Sequence, residues 1–336
     1  MPKAFEIPGL TVPPGQRGTI WLEVAKAPAG GVIGIPVVVL NGAREGPVLL
    51  VDAATHGDEY EGTLALLALL RETEPSSLRG TLVGVPVLNG PSYEAEVRGN
   101  PLERYHYDLN RTFPGEPGGS ITQRIAARYF TDIVKHASAI VSLHGGGNVF
   151  YLDGFVVAHS TKGDDLDLIR AMGWKRFTDA PDMALNPYQG TLWDKAAELG
   201  IATIVAEFGG ASQRSPRDIA RAKTEFLRGL RNVMIHLNMI IGSPDKPKTL
   251  LKIKKQNVRA GNGGVIDFEP NIDIEARVTK GQAMMKVYDP LGYLVETITA
   301  PMNGRVMALP GSPLAYPGRI LTSVYDVIEE IPTDAS

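Results

Sequence analysis

Between residues 48 and 238, short apolar runs with strand character alternate with longer segments whose apolar residues recur at helical spacing. The apolar runs include VLLVDAA, TLVGVPVL, AIVSLH and IATIVAEF, and the helical segments include EYEGTLALLALLRE and SITQRIAARYFTDIVKHA. In the latter segment Ser120 stands three residues before Gln123, a pattern that predicts a capping box at the start of a helix. This alternation predicts an α/β fold with a mixed, largely parallel sheet and helices on both of its faces.

The two ends of the chain follow a different pattern. Before about residue 45, strand-like runs are separated by proline and glycine, which predicts a β meander. After about residue 245, short β-like runs and many glycines follow one another without a convincing helix. We therefore predict a first domain over residues 1–245 and an all-β domain over residues 246–336.

Composition excludes several classes of function. A net charge of −3 without a long basic run argues against a nucleic-acid partner. The sequence has no apolar run of membrane-span length, and its first residues have no apolar run of signal-peptide length, so we expect a soluble cytoplasmic protein without a membrane partner. The chain contains no cysteine, so any metal must be bound by histidine and carboxylate side chains.

Three of the apolar runs end at residues that can bind a metal or carry a proton. His56 follows the first run with Glu59 three residues later, His144 closes AIVSLH, and Glu207 follows IATIVA. Ligands of open α/β sheets collect at the carboxyl ends of the strands, so we expect these four residues to share one crevice. Two imidazoles and one carboxylate are a common catalytic zinc set that leaves a position for water.

Each of these four residues also has an ordinary structural explanation. His56 and Glu59 could cap a helix or lie at the surface, His144 could be a half-buried histidine, and Glu207 could belong to an ion pair. Their shared position at strand ends favours the metal site. In such a site Glu207 would take a proton from the attacking water and return it to the leaving nitrogen.

The loop sequence NPLERYHYDLNRTFPGEPGGS stands between the first and second predicted ligand segments. It contains Arg104, Asn110 and Arg111. Guanidinium groups bind carboxylates in a two-point geometry, so near zinc they would orient an anionic substrate or polarise the carbonyl under attack. The alternative is that Arg111 forms an ion pair with Asp108 or Glu116 that only holds the loop together.

Four motifs together indicate a known family. They are HGDE at residues 56–59, DLNRTF at 108–113, the strand-end His144, and AEFGG at 206–210. In order and spacing over roughly residues 45–240, the chain resembles the succinylglutamate desuccinylase and aspartoacylase family of zinc deacylases. That resemblance implies a fold similar to that of the zinc carboxypeptidases.

The resemblance also implies roles for individual residues. It implies one zinc ion per chain, with three ligands: His56, Glu59 and His144. It implies Glu207 as general acid/base and Arg104 as the residue that stabilises the oxyanion. Asn110 and Arg111 look like the pair that binds the substrate carboxylate. The helical segment TLWDKAAELG lacks the arginine that aspartoacylases place there, and Lys195 is its nearest cation, which favours a less characterised bacterial deacylase of the family.

The predicted function is therefore a zinc-dependent deacylase that hydrolyses the amide bond of a small N-acyl amino acid or a related anionic N-acyl compound. The resemblance implies a homo-oligomer. Two alternatives stay open at this point. One is a metallocarboxypeptidase acting on short peptides, and the other is a non-catalytic small-molecule-binding protein on the same fold.

The segment from Glu275 to Leu309 resembles a biotinyl/lipoyl-type barrel. A carrier domain of that type needs a lysine at the tip of a hairpin, and the predicted tip, Asp289–Tyr293, has none. We therefore predict a barrel without a carrier function. Tyr293 and Tyr316 are candidates to reach the active site from this domain.

Overall fold

The computed structural model describes residues 2–105, 108–179, 189–211 and 215–334. The helices are α1 (Glu61–Glu72), α2 (Gly90–Glu94), α3 (Ile121–Asp132), α4 (Gly163–Met172), α5 (Leu192–Glu198) and α6 (Pro216–His236). Short 3-10 turns cover Pro75–Ser77, Leu109–Arg111 and Val134–His136. The strands are β1 (Phe5–Ile7), β2 (Leu10–Val12), β3 (Gln16–Lys26), β4 (Val32–Asn41), β5 (Arg44–Ala53), β6 (Arg79–Val85), β7 (Ala139–His144), β8 (Phe150–Ala158), β9 (Arg176–Asp179), β10 (Ala202–Gly210), β11 (Thr249–Arg259), β12 (Gly264–Phe268), β13 (Arg277–Val278), β14 (Ala283–Tyr288), β15 (Leu294–Thr299), β16 (Gly304–Pro310), β17 (Leu314–Ala315) and β18 (Ile320–Pro332).

A twelve-stranded mixed sheet forms the centre of the fold, in the order β13-β16-β18-β11-β9-β8-β10-β7-β5-β6-β4-β3. The parallel strand pairs are β10–β7, β7–β5, β5–β6, β8–β9 and β9–β11. The predicted α/β fold is confirmed, but a largely parallel sheet is not, because antiparallel pairs outnumber parallel ones. The meander strands β3 and β4 extend one edge antiparallel, and β11, β18 and β16 extend the other.

Alternate residues of the central strands lie in two apolar clusters. Leu49 and Val51 of β5 belong to a cluster that includes residues of α1, α4 and α6, whereas Leu50 belongs to one that includes residues of α3 and α5. This alternation follows from the two-residue period of a strand, which points successive side chains to opposite faces. The predicted capping box is present at the start of α3, where the Ser120 hydroxyl accepts from the backbone N–H of Gln123.

The C-terminal strands continue the central sheet, and they also enclose an apolar core of their own. β11 pairs in parallel with β9, while β15, β14, β12 and β17 form a separate four-stranded sheet. A third apolar cluster, built from residues 258–324, fills the barrel-like space between these strands. No described helix is long and apolar enough to span a bilayer. The boundary near residue 245 stays a prediction.

The hairpin between β14 and β15 turns at Asp289–Tyr293, as expected for the tip that lacks a lysine. Tyr293 and Tyr316 are both exposed, by 67% and 55% respectively. Neither lines the cavity that contains the predicted metal ligands. The candidate roles of these two tyrosines at the active site therefore have no support in the structure.

Candidate metal centre and active site

Three neighbouring strands bring the predicted site residues together. β10, β7 and β5 are adjacent in the sheet, and Glu207 of β10 is the register partner of His144 at the end of β7. β5 ends at Ala53, beside Leu143 of β7. The backbone then turns through Ala54, whose φ is +52°, and leads directly into the segment that contains His56 and Glu59.

The side chains of His56, Glu59 and His144 converge on one point. Their potential ligand atoms all lie within 4.8 Å of one another. Nδ1 of His56 lies 2.8 Å from one carboxylate oxygen of Glu59, and Nδ1 of His144 lies 2.9 Å from the other. The two Nδ1 atoms are 3.2 Å apart. All three residues are buried, at 3% to 4% exposure.

This arrangement fits a divalent cation. Two ring nitrogens that face each other at 3.2 Å cannot both carry a proton without repulsion, whereas both can direct a lone pair at a metal ion. A set of two histidines and one carboxylate suits zinc. Although burial opposes the charge of Glu59, the two imidazoles hold its pKa below the ordinary value. Burial also lowers the pKa of His144, but Glu59 outweighs that effect and raises it to about 9.

Asp108 supports His56 from the opposite side of its ring. One carboxylate oxygen of Asp108 lies 3.2 Å from Nε2 of His56 and accepts the backbone N–H of Asn110 at 3.0 Å. The other oxygen accepts from Nε of Arg98 at 3.2 Å. A carboxylate behind a metal-binding histidine fixes the orientation and tautomer of its ring. Sequence reasoning placed Asp108 only in a possible ion pair with Arg111.

A second buried carboxylate, that of Asp52, lies beneath the strand ends. It accepts hydrogen bonds from the Ser142 hydroxyl at 2.6 Å and from the Tyr129 hydroxyl at 2.8 Å. Burial raises the pKa of Asp52, and its charge contributes to the raised pKa of His144. A single aspartate inside the apolar run VLLVDAA was the available sequence signal for this residue.

Two glycines let the backbone pack closely around the predicted metal ligands. A side chain at Gly57 would collide with the backbone of Ser92. Gly147 has a φ of +53° and lies against the carboxylate of Asp58, which also accepts the backbone N–H of Asn148 at 2.7 Å. Asp58 thereby holds the glycine loop after β7 beside the predicted ligands.

The predicted metal ligands and Glu207 lie in one cavity of about 370 Å³, here called the strand-end cavity. Burial raises the pKa of the Glu207 carboxyl, while the nearby His144 opposes that increase. Arg98, Asn110 and Arg111 also line the cavity. Oδ1 of Asn110 accepts the backbone N–H of Leu192 at the start of α5. Nη1 of Arg111 donates to the backbone carbonyl of Asn110 at 2.6 Å.

Arg104 is not brought to this cavity. It is exposed in the surface turn around residues 101–105, and Arg98 lies by the predicted metal ligands instead. Nη1 of Arg98 is 3.4 Å from Nδ1 of His56 and 3.9 Å from Glu59. The path of an irregular loop is set by its contacts, so spacing along the chain did not distinguish the two arginines.

Lys195 and His159 also lie elsewhere. Lys195 does not line the strand-end cavity and forms ion pairs with Glu198 at 2.5 Å and Asp194 at 3.5 Å. His159 lines a separate, smaller pocket.

The remaining walls come from both parts of the chain. Apolar surface is supplied by Phe150, Phe155, Trp193 and Val205, among others. Strands β11, β16 and β18 add five residues to the lining: Lys255, Asn257, Ala308, Ile320 and Ser323. Sequence reasoning missed these five because it sought site residues, apart from two tyrosines, only in the first 245 residues.

Known proteins resemble this chain in sequence and in structure. The family profile of the succinylglutamate desuccinylase/aspartoacylase catalytic domain matches residues 45–237. The N-alpha-acetyl-L-2,4-diaminobutyric acid deacetylase of Halomonas elongata is 30% identical over 283 residues, which are 82% of this chain and 80% of that protein.

Two solved structures are similar over nearly the whole chain. The product-bound ectoine utilization protein EutE of Ruegeria pomeroyi is 27% identical, with a TM-score of 0.81 and coverage of 92% of this chain and 94% of that one. A succinylglutamate desuccinylase of Silicibacter sp. TM1040 is 25% identical, with a TM-score of 0.81 and coverage of 93% and 94%. The extent of these matches confirms the predicted resemblance. The chain belongs to the succinylglutamate desuccinylase/aspartoacylase family of deacylases, which are hydrolases of amide bonds.

Proposed function

We propose that this protein is a zinc-dependent deacylase that hydrolyses the amide bond of a small N-acyl amino acid or a related anionic N-acyl compound. The observation that carries the proposal is that a buried His56–Glu59–His144 group shares one cavity with the carboxylate of Glu207. The name of the Halomonas relative, a deacetylase of an N-acetylated amino acid, supports the same class of substrate. A cavity of about 370 Å³ suits a small molecule.

In this proposal His56, Glu59 and His144 would hold the zinc ion. Zinc held there would supply a Lewis acid for the amide carbonyl and a lower pKa for the attacking water. Asp108 keeps the ring of His56 oriented through its contact with Nε2. Burial of the three ligands excludes bulk water that would compete for the metal.

Glu207 moves the proton. Its carboxylate takes a proton from the attacking water, and the burial that raises its pKa helps it to retain that proton. It then delivers the proton to the amide nitrogen as the bond to the acyl carbon breaks. The guanidinium of Arg98 lies 3.4 Å from His56 and 3.9 Å from Glu59, so it takes the role first assigned to Arg104 and stabilises the negative charge that develops on the carbonyl oxygen.

Asn110 and Arg111 bind the carboxylate of the substrate. Because Oδ1 of Asn110 is engaged by the start of α5, its amide hydrogens are left as donors toward the cavity. The planar fork of Arg111 can donate two parallel hydrogen bonds to one carboxylate. Together they would fix the amino-acid part of the substrate while the acyl carbonyl faces the metal ligands.

The test combines metal analysis with a hydrolysis assay. Purified protein supplied with zinc should contain about one zinc per chain and should release free amine from members of a panel of N-acetyl and N-succinyl amino acids. Glu207→Gln should keep the zinc and lose at least about 100-fold in kcat, because it keeps the shape but cannot carry the proton. Glu198→Gln, on the exposed part of α5, is the matched control and should behave as wild type. Protein that binds no zinc, or Glu207→Gln with near-normal turnover, would refute the proposal.

A further inference from the structure

Lys255 lies in the wall of the strand-end cavity although it belongs to the C-terminal part of the chain. The two-residue period of β11 places Ile253, Lys255 and Asn257 on one face of the strand. Ile253 is fully buried, whereas Lys255 and Asn257 line the cavity. Antiparallel pairing with β18 places Ser323 opposite Asn257.

The ammonium group of Lys255 has an unusual environment. Its Nζ lies 4.9 Å from the centre of the Phe155 ring, and within the described ranges no carboxylate reaches ion-pair distance of it. Burial lowers the pKa of Lys255, and the more distant charge of Glu207 opposes that decrease. By contrast, Lys252 on the same strand pairs with Asp179 at 2.9 Å. A partly buried cation that contacts an aromatic face and has no carboxylate at ion-pair distance among the described residues gains from an anion that enters the cavity.

Asn257 adds hydrogen-bond donors two residues further along the same face of β11. Its Oδ1 accepts from the Ser323 hydroxyl at 2.7 Å, which leaves the amide hydrogens as donors. An ammonium group beside an amide N–H₂ is a suitable site for a carboxylate, because each of its oxygens can accept one hydrogen bond. It is unsuitable for a substrate ammonium group, which Lys255 would repel.

We propose that Lys255, assisted by Asn257, determines specificity by binding a second carboxylate of the ligand, separate from the one held by Asn110 and Arg111. This inference rests on the proposed function, because the proposed function places the amino-acid and acyl parts of one substrate in the same cavity. The second carboxylate can belong to the amino-acid side chain or to the acyl group. Both sources present the same chemistry to Lys255.

The experiment measures binding of non-hydrolysable products to full-length, zinc-loaded protein by calorimetry. Glutamate compared with glutamine tests a side-chain carboxylate, and succinate compared with succinamate tests an acyl carboxylate. Wild type should bind the anionic member of at least one pair about tenfold or more tightly than its amide. Lys255→Met should abolish that preference, and Lys255→Arg should retain most of it. The matched control is Lys254→Met, on the exposed face of β11, which should bind as wild type does.

Three results would overturn the inference. They are a wild type without preference in either pair, a preference that survives Lys255→Met, and an equal loss of affinity for both members of a pair. The last result would mean that Lys255 acts through its field on Glu207. Because product binding needs no turnover, the two proposals fail separately. A Lys255-dependent preference in a protein that hydrolyses no N-acyl compound refutes the proposed function alone, and hydrolysis without such a preference refutes this inference alone.

Discussion

Replacing Asp108 by asparagine should weaken zinc binding although Asp108 is not itself a predicted ligand. One of its oxygens lies 3.2 Å from Nε2 of His56, the ring nitrogen opposite the one that faces Glu59. A hydrogen bond to a charged group contributes about 1.5–3 kcal/mol, and about 1.4 kcal/mol corresponds to a tenfold change in affinity. The zinc dissociation constant should therefore rise by about 10- to 100-fold, the range typical for loss of a carboxylate behind a metal-binding histidine.

The assay is competition for zinc with a fluorescent chelator at constant pH. Asp179→Asn is the matched control, since Asp179 is also partly buried and paired with Lys252 but does not line the strand-end cavity. Arg98→Met separates the two contacts of Asp108, because it removes the guanidinium partner and leaves His56 in place. Wild-type affinity in Asp108→Asn would refute the reasoning. So would an equal loss in Asp179→Asn or in Arg98→Met.

Three further predictions follow from the site. His56→Ala should lose the zinc that wild type binds, whereas His159→Ala, in a separate pocket, should retain it, as checked by elemental analysis. Arg98→Met should lower kcat by about 100-fold with zinc retained, as expected for loss of an oxyanion donor, whereas Arg104→Met at the exposed turn should leave kcat unchanged in steady-state assays. Tyr129→Phe removes a hydroxyl that donates to a buried carboxylate, so the free energy of unfolding should fall by about 1–3 kcal/mol in urea titrations, and an unchanged value would contradict that account.

The sequence predicted the positions of His56, His144 and Glu207 more reliably than the sheet around them. His56, His144 and Glu207 each follow an apolar strand run, and β5, β7 and β10 are indeed neighbours that end at one edge of the sheet. Local apolar periodicity is enough for this, because it identifies strands and their ends. It does not identify the neighbours of a strand. Because of the antiparallel pairs formed by the N-terminal meander and by β11, β16 and β18, the mixed sheet is not largely parallel.

What the sequence determined by itself is the set of chemical groups and the strand ends that bear them. Only the tertiary structure decided which loop and C-terminal residues join that set. Packing of the segment 95–105 placed Arg98 beside the predicted ligands and left Arg104 exposed. Parallel pairing of β11 with β9 brought Lys255 into the wall of a cavity formed by residues about 50 to 200 positions earlier in the chain. Such contacts between distant segments depend on how whole elements pack against one another, and no local periodicity encodes them.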